Sequence, residues 1–117
     1  MSNSIKRFYS SSVVTIPNGS AVSDVLEVRE FAGGVVSMPA AWTAANIGFK
    51  HCAAPNGTFQ PLRDATGALV EIVASAAGEF VLPDALFACQ FVQLWSESAG
   101  SNVNQGADRP ITVSLKR

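Results

Sequence analysis

Apolar and polar residues alternate along most of this chain, and no stretch keeps a helical apolar spacing for the length of a helix. Ala41 to Gln60 carries the pattern most fully. Ile47 and Phe49 alternate with Gly48 and Lys50, and Pro55-Asn56-Gly57 breaks the run before Phe59. Alternation at period two predicts a half-buried strand. Asn-Gly between strand-like residues predicts a tight hairpin, because both residues accept positive φ at low cost. The segment therefore reads as strand, turn and return strand, and other strands must cover its apolar face.

The rest of the chain repeats this grammar. Residues 1–12 are polar and serine-rich, and they read as a flexible or extended arm. Extended, a dozen residues reach on the order of 40 Å, enough to touch a neighbouring subunit. Val13 to Ile16 predicts a first strand, stopped by Pro17-Asn18-Gly19. Ser20 to Asp24 reads as a polar link, Val25 to Phe31 as a second strand of imperfect register, and Val35 to Met38 as a third, ended by Pro39. After the hairpin, Pro61 to Gly67 is a turn, Ala68 to Ala74 a strand, and Glu79 to Leu82 a short strand. Pro83 to Ala88 suits a single helical turn with Pro83 near its start. Cys89 to Trp95 is a strong strand, Ser96 to Asp108 a long polar loop, and Pro110 to Leu115 a last strand with Ile111, Val113 and Leu115 on one face.

About eight or nine short strands with turns between them predict an all-β protein, an antiparallel β-sandwich of the jelly-roll kind, with a small closed barrel as the other architecture. A length of 117 residues suits one sandwich domain over residues 13–117 behind the N-terminal arm, large enough for a core without disulfide or metal.

Composition changes the picture in one respect. Apolar residues make up 48%, as usual, but charged residues only 15%, well below the usual share. Ala, Ser, Gly, Asn, Gln and Thr fill the gap. A neutral polar surface suits a protein packed against neighbours. The formal net charge is −1, and basic pairs occur only at the ends, as Lys6-Arg7 and Lys116-Arg117, which argues against nucleic acid as a partner. The N-terminus lacks the apolar core of a signal peptide and no run reaches membrane-spanning length, so synthesis in the cytoplasm and no membrane partner are expected. In that reducing compartment Cys52 and Cys89 read as two buried thiols.

Candidate chemistry is sparse. His51 is the lone histidine, and Cys52 beside it points to the opposite face of a strand. It reads as a partly exposed strand histidine rather than part of a catalytic arrangement. Asp64, Glu71, Asp84 and Asp108 are scattered singly, so neither a metal site nor any other cofactor is expected. Gly33-Gly34 lacks the helix a phosphate loop needs. Without a credible nucleophile or acid–base set, the chain does not read as an enzyme. Trp42 and Trp95 adjoin strong strands and read as core or interface. The candidate contact residues are Phe8 and Tyr9 in the arm, with Asn104, Gln105 and Arg109 in the long loop, where Arg109 is expected to pair an acid such as Asp108 or Glu97.

Four segments together resemble small structural proteins of tailed bacteriophages. They are Met38-Pro39-Ala40-Ala41-Trp42-Thr43-Ala44-Ala45-Asn46-Ile47-Gly48-Phe49; Asn56-Gly57-Thr58-Phe59-Gln60-Pro61-Leu62 with Asp64 and Gly67; Val81-Leu82-Pro83 through Phe91-Val92-Gln93-Leu94; and Asn104-Gln105-Gly106-Ala107-Asp108-Arg109-Pro110-Ile111. The likeness runs in order over residues 13–116 and departs from the family at Trp95-Ser96-Glu97-Ser98. It implies a capsid decoration or cement protein on the virion surface, bound to the major capsid protein as a homo-oligomer, with a trimer favoured. It brings no catalytic residues. The alternative is a carbohydrate-binding jelly-roll module of a tail fibre or head decoration, with a surface glycan as partner. That reading rests on a fold-level likeness to discoidin and carbohydrate-binding domains: a Trp-led strand, a Gly-centred turn and an Arg near the last strand.

Overall fold

Alternation decides which side chains turn inward, and the strands that result are antiparallel throughout. The computed structural model describes residues 9–117. Its strands are β1 (Tyr9–Ile16), β2 (Val22–Glu27), β3 (Gly33–Ser37), β4 (Asn46–Cys52), β5 (Gln60–Pro61), β6 (Glu71–Ile72), β7 (Glu79–Val81), β8 (Phe91–Ser98), β9 (Ser101–Asn102) and β10 (Arg109–Lys116). A four-stranded sheet runs β1-β10-β3-β7, and a six-stranded sheet is built on β2-β8-β4-β5, with β6 also on β4 and β9 on β8. The pairing is nested: β1 with β10, β2 with β8, β3 with β7, and β4 with β5 and β6. A chain folded back on itself and then rolled into two sheets in this way is a jelly roll.

The core lies between the sheets. Val14, Ile16, Val36, Ile111, Val113 and Leu115 come from one side, and Ile47, Phe49, Val92 and Leu94 from the other. Pro83 stands at the N-cap of a 3₁₀ turn, Asp84–Ala88, which drops Leu86 into the core. This is the single helical turn expected from Pro83.

Several boundaries differ from the sequence reading. β1 begins at Tyr9 rather than Val13, so Tyr9 to Ser12 pair with β10 instead of belonging to an arm. Their serines look like linker because the ladder is made by backbone, not by side chains. Phe8 and the arm before it lie outside the described residues. β2 starts at Val22, inside the expected polar link, and carries a bulge between Val22 and Val25. A bulge shifts the alternation, which explains the imperfect register of that segment. Ala68 to Ala74 supplies only the two residues of β6.

The expected hairpin exists, but not its turn. β4 pairs with β5 at Lys50–Pro61 and His51–Gln60. The connection is a longer loop in which the Gly57 N–H donates to the Ala54 carbonyl, and Gly57 is not among the glycines at positive φ. Pro55 and Gly57 take the second and fourth places of an ordinary turn. The tight hairpin is elsewhere, at Ala99-Gly100, with φ +51° and +84°. It joins β8 to β9 through the pairs Ser98–Ser101 and Glu97–Asn102. Positive φ at both central residues matches the twist of the flanking strands.

Candidate functional site

Gln105 is a structural tie. Its side chain is buried, and an amide buried in this way must use its donors and acceptors internally. Oε1 accepts from the Thr43 N–H at 2.9 Å and from Arg109 Nε at 3.1 Å. Nε2 donates to the Thr43 carbonyl at 3.0 Å and to Ser96 Oγ at 2.8 Å. Its backbone N–H donates to the Ser20 carbonyl, and its carbonyl accepts from the Gly19 N–H. One residue thus joins the β1–β2 turn, the Thr43 loop, β8 and β10.

This corrects the expected contact loop. Gln105 has no capacity left for a partner. Arg109 does not pair with Asp108 or Glu97: besides Gln105 it donates through Nη2 to Thr43 Oγ1 at 3.2 Å, and among the described residues it forms no ion pair. Asp108 instead accepts the Asn18 N–H at 2.8 Å. Asn104 is exposed. Tyr9 opens β1, opposite Lys116. Among the described residues of that set, Tyr9 and Arg109 lie at opposite ends of the β1–β10 ladder and Gln105 is buried. The loop looked functional because its bonds reach Thr43, 62 positions away, and no local pattern reports that.

On the outer face of the six-stranded sheet the aromatic side chains are covered, while Val25 is 38% exposed. Trp95 is buried, its indole N–H donates to Asn102 Oδ1 at 2.7 Å, and Lys50 Nζ lies 4.9 Å from its ring centre. Phe91 is buried under Arg29, which also pairs with Glu27. Gly48 is required here, because a Cβ would stand 2.9 Å from Trp95 Cε3 and 3.0 Å from Glu97 Cγ. Glu97 is buried and belongs to β8, not to the long polar loop expected from Ser96 onward. Its Oε1 accepts the Gly100 N–H at 3.0 Å, whereas Oε2 has no hydrogen-bond partner among the described residues. Burial, together with the neighbouring Glu71 carboxyl, pushes Glu97 up to about 7. Both influences favour the protonated, neutral form of the Glu97 carboxyl. Glu71 also accepts from Asn46 Nδ2 at 3.4 Å.

The outer face of the four-stranded sheet is bare. Its cross-strand rows run Val13–Thr112–Ser37–Glu79 and Ser11–Ser114–Val35–Val81. Val13 is 60% and Val81 77% exposed. Charge appears only at the margins, where Glu79 accepts from Ser37 Oγ at 2.7 Å and Lys116 ends β10. A shallow groove of about 330 Å³ at that end is lined by Ala32 to Val35, Lys116 and Arg117. This neutral face is the surface best suited to contact another molecule.

The other singled-out residues are engaged locally. His51 Nε2 shares a hydrogen bond with Gln90 Oε1 at 2.7 Å. Cys89 is buried, which pushes its thiol up, and Cys52 is a half-buried free thiol whose Sγ lies where a Gly57 Cβ would go. Trp42 packs half-buried on the core, with its N–H on the Ala45 carbonyl. Of the two tryptophans, Trp95 is buried and Trp42 half-buried.

No family model matches this chain, and no characterised protein sequence matches it. Among solved structures, the fold is similar to that of the SPBc2 prophage-derived protein YomS, with a TM-score of 0.56 at 13% identity over 98% of this chain and 100% of that one.

Proposed function

We propose that this protein is a bacteriophage virion structural protein of the decoration or cement type, which docks on the major capsid protein and stabilises the shell. The observation that carries this reading is the bare, neutral outer face of the four-stranded sheet. A flat surface of Ser, Thr and Val can be buried without desolvating charge, whose removal from water is costly. Many copies, each burying a modest area across capsid subunits, would raise the cost of shell rupture through multivalency. The prophage origin of the structural neighbour supports a phage source, as do the segments that resemble those of small tailed-phage proteins. The burial of Trp95 and the packing of Trp42 weigh against glycan binding.

The test is to count this chain relative to the major capsid protein by quantitative mass spectrometry of purified particles. The expected result is a ratio equal to a simple fraction of the capsid lattice. A few copies per particle would move the protein to the tail, and none would end the virion reading.

A further inference from the structure

The sheet edges differ in how they are guarded. An edge strand presents unpaired N–H and carbonyl groups, and natural proteins blunt it by shortness, charge, proline or a bulge. β7 is three residues long and carries Glu79. β5 and β6 have two residues each, and β5 includes Pro61. β2 is bulged and bears Asp24 and Glu27. β1 has none of these devices. Its eight residues, Tyr-Ser-Ser-Ser-Val-Val-Thr-Ile, hold an unbroken register on β10 from Tyr9–Lys116 to Ile16–Arg109. They contain no charge and no proline.

The direction of the free groups is also known. The Thr15 N–H donates to Asp24 Oδ2 at 3.1 Å and so points away from β10. Strand groups alternate, so the backbone groups of Ser11 and Val13 point the same way. Among the described residues nothing pairs with them. Asp24 closes the edge at Thr15 and leaves it open toward Tyr9.

We propose that β1 is a docking edge and that its occupant is β1 of a second copy, paired antiparallel about a two-fold axis at Ser11. In this register Ser11 meets Ser11 of the other copy, and Tyr9 of each meets Val13 of the other. The three open positions are used, and Thr15, already held by Asp24, stays outside. About six backbone hydrogen bonds form, two for each closely spaced pair. Two-fold pairing requires a self-complementary surface. This edge qualifies because it is neutral along its whole length, so two copies bring no like charges together. Val13, the most exposed apolar residue of β1, gains a cross-strand neighbour. The two four-stranded sheets become one continuous sheet. The product is a dimer, not the trimer that the phage resemblance favours, and it holds whether or not the protein is part of a virion.

The test is sedimentation equilibrium of the full chain, whose mass is 12.2 kDa, beside three variants. Ser11→Pro removes an outward N–H without touching the β10 ladder. Ser11→Lys and Ser11→Glu each place like charges opposite one another at the axis. The wild type is expected to dimerise. Each variant alone should weaken dimerisation at least about tenfold, a loss of about 1.4 kcal/mol, with unchanged circular dichroism. Mixing the Lys and Glu variants should restore the dimer. A wild type that is monomeric at every concentration overturns the proposal, as does a dimer that all three variants leave intact. If removal of residues 1–8 converts a monomer into a dimer, the edge belongs to the chain's own N-terminal segment and the proposal fails.

Discussion

On the outer face of the six-stranded sheet, Trp95 and Phe91 lie buried under Lys50 and Arg29, and Glu97 is sealed beside Glu71. On the outer face of the four-stranded sheet the corresponding rows hold Ser, Thr and Val, with Val13 and Val81 open to solvent. One face therefore covers its aromatic groups, and the other leaves small groups open to solvent. Covered aromatics and buried acids serve stability, because exposing them costs energy. A bare neutral face adds little to stability and is cheap to desolvate, so it is the face left for contact. Large residues mark the structural side of this protein, and under the decoration reading small ones mark its contact side.

Three changes break or sharpen the contrast. Trp95→Ala should be the most damaging, costing about 3–5 kcal/mol in a denaturant melt, the usual range for a buried aromatic. A loss below about 1 kcal/mol would mean that the covered face is not structural after all.

The second is a change of pH. Glu97 is held at about 7 in the folded chain, above its ordinary value of 4.5. The folded state therefore keeps a proton that the unfolded state releases. The favourable contribution is full below about pH 4.5 and is lost as pH rises through about 7, with a total of the order of 3 kcal/mol. Glu71 faces the same group and Lys50 covers Trp95 beside it, and both belong to this balance. Melting temperatures from pH 5 to 8.5 should fall in the wild type. They should stay flat in Glu97→Gln, which keeps a donor for Glu71 without an ionisable proton. An equal fall in both would remove Glu97 as the cause.

The smallest effect on stability is expected on the bare face. Thr112→Lys or Val81→Lys should shift stability by no more than about 0.5 kcal/mol, as exposed substitutions do. Under the decoration reading the same variants should lose co-sedimentation with capsids. Full retention of binding would mean that this face is not the docking face.

The two Asn/Ala-Gly turns show how far local signals reach. Asn56-Gly57 carries the stronger hairpin signal, yet the tight hairpin forms at Ala99-Gly100, where Ala99 takes positive φ against its own preference. Such a residue costs roughly 1 kcal/mol. The surrounding ladder holds it there: Glu97 pairs with Asn102, and its carboxyl accepts the Gly100 N–H. Gln105 is the parallel case among the site residues. Its loop stood out in the sequence, but as a contact, because a polar residue between Gly and Asn looks solvated until its partners are known.

The sequence by itself determined the class of the protein. Strict alternation at Ile111, Val113 and Leu115 sets one face inward, Pro83 starts its turn, and proline and glycine punctuation keeps the strands short. Each of these acts through the chain's own neighbours, at a range that one segment carries. Tertiary structure alone decided which strands are edges, that Gln105 ties four segments together, and that Glu97 is buried beside an exposed Glu71. Those outcomes depend on backbone groups and side chains brought together across tens of residues. A strand's exposure to a partner follows from what lies beside it in the sheet, and nothing in β1's own eight residues says that no other described strand pairs with its outward side.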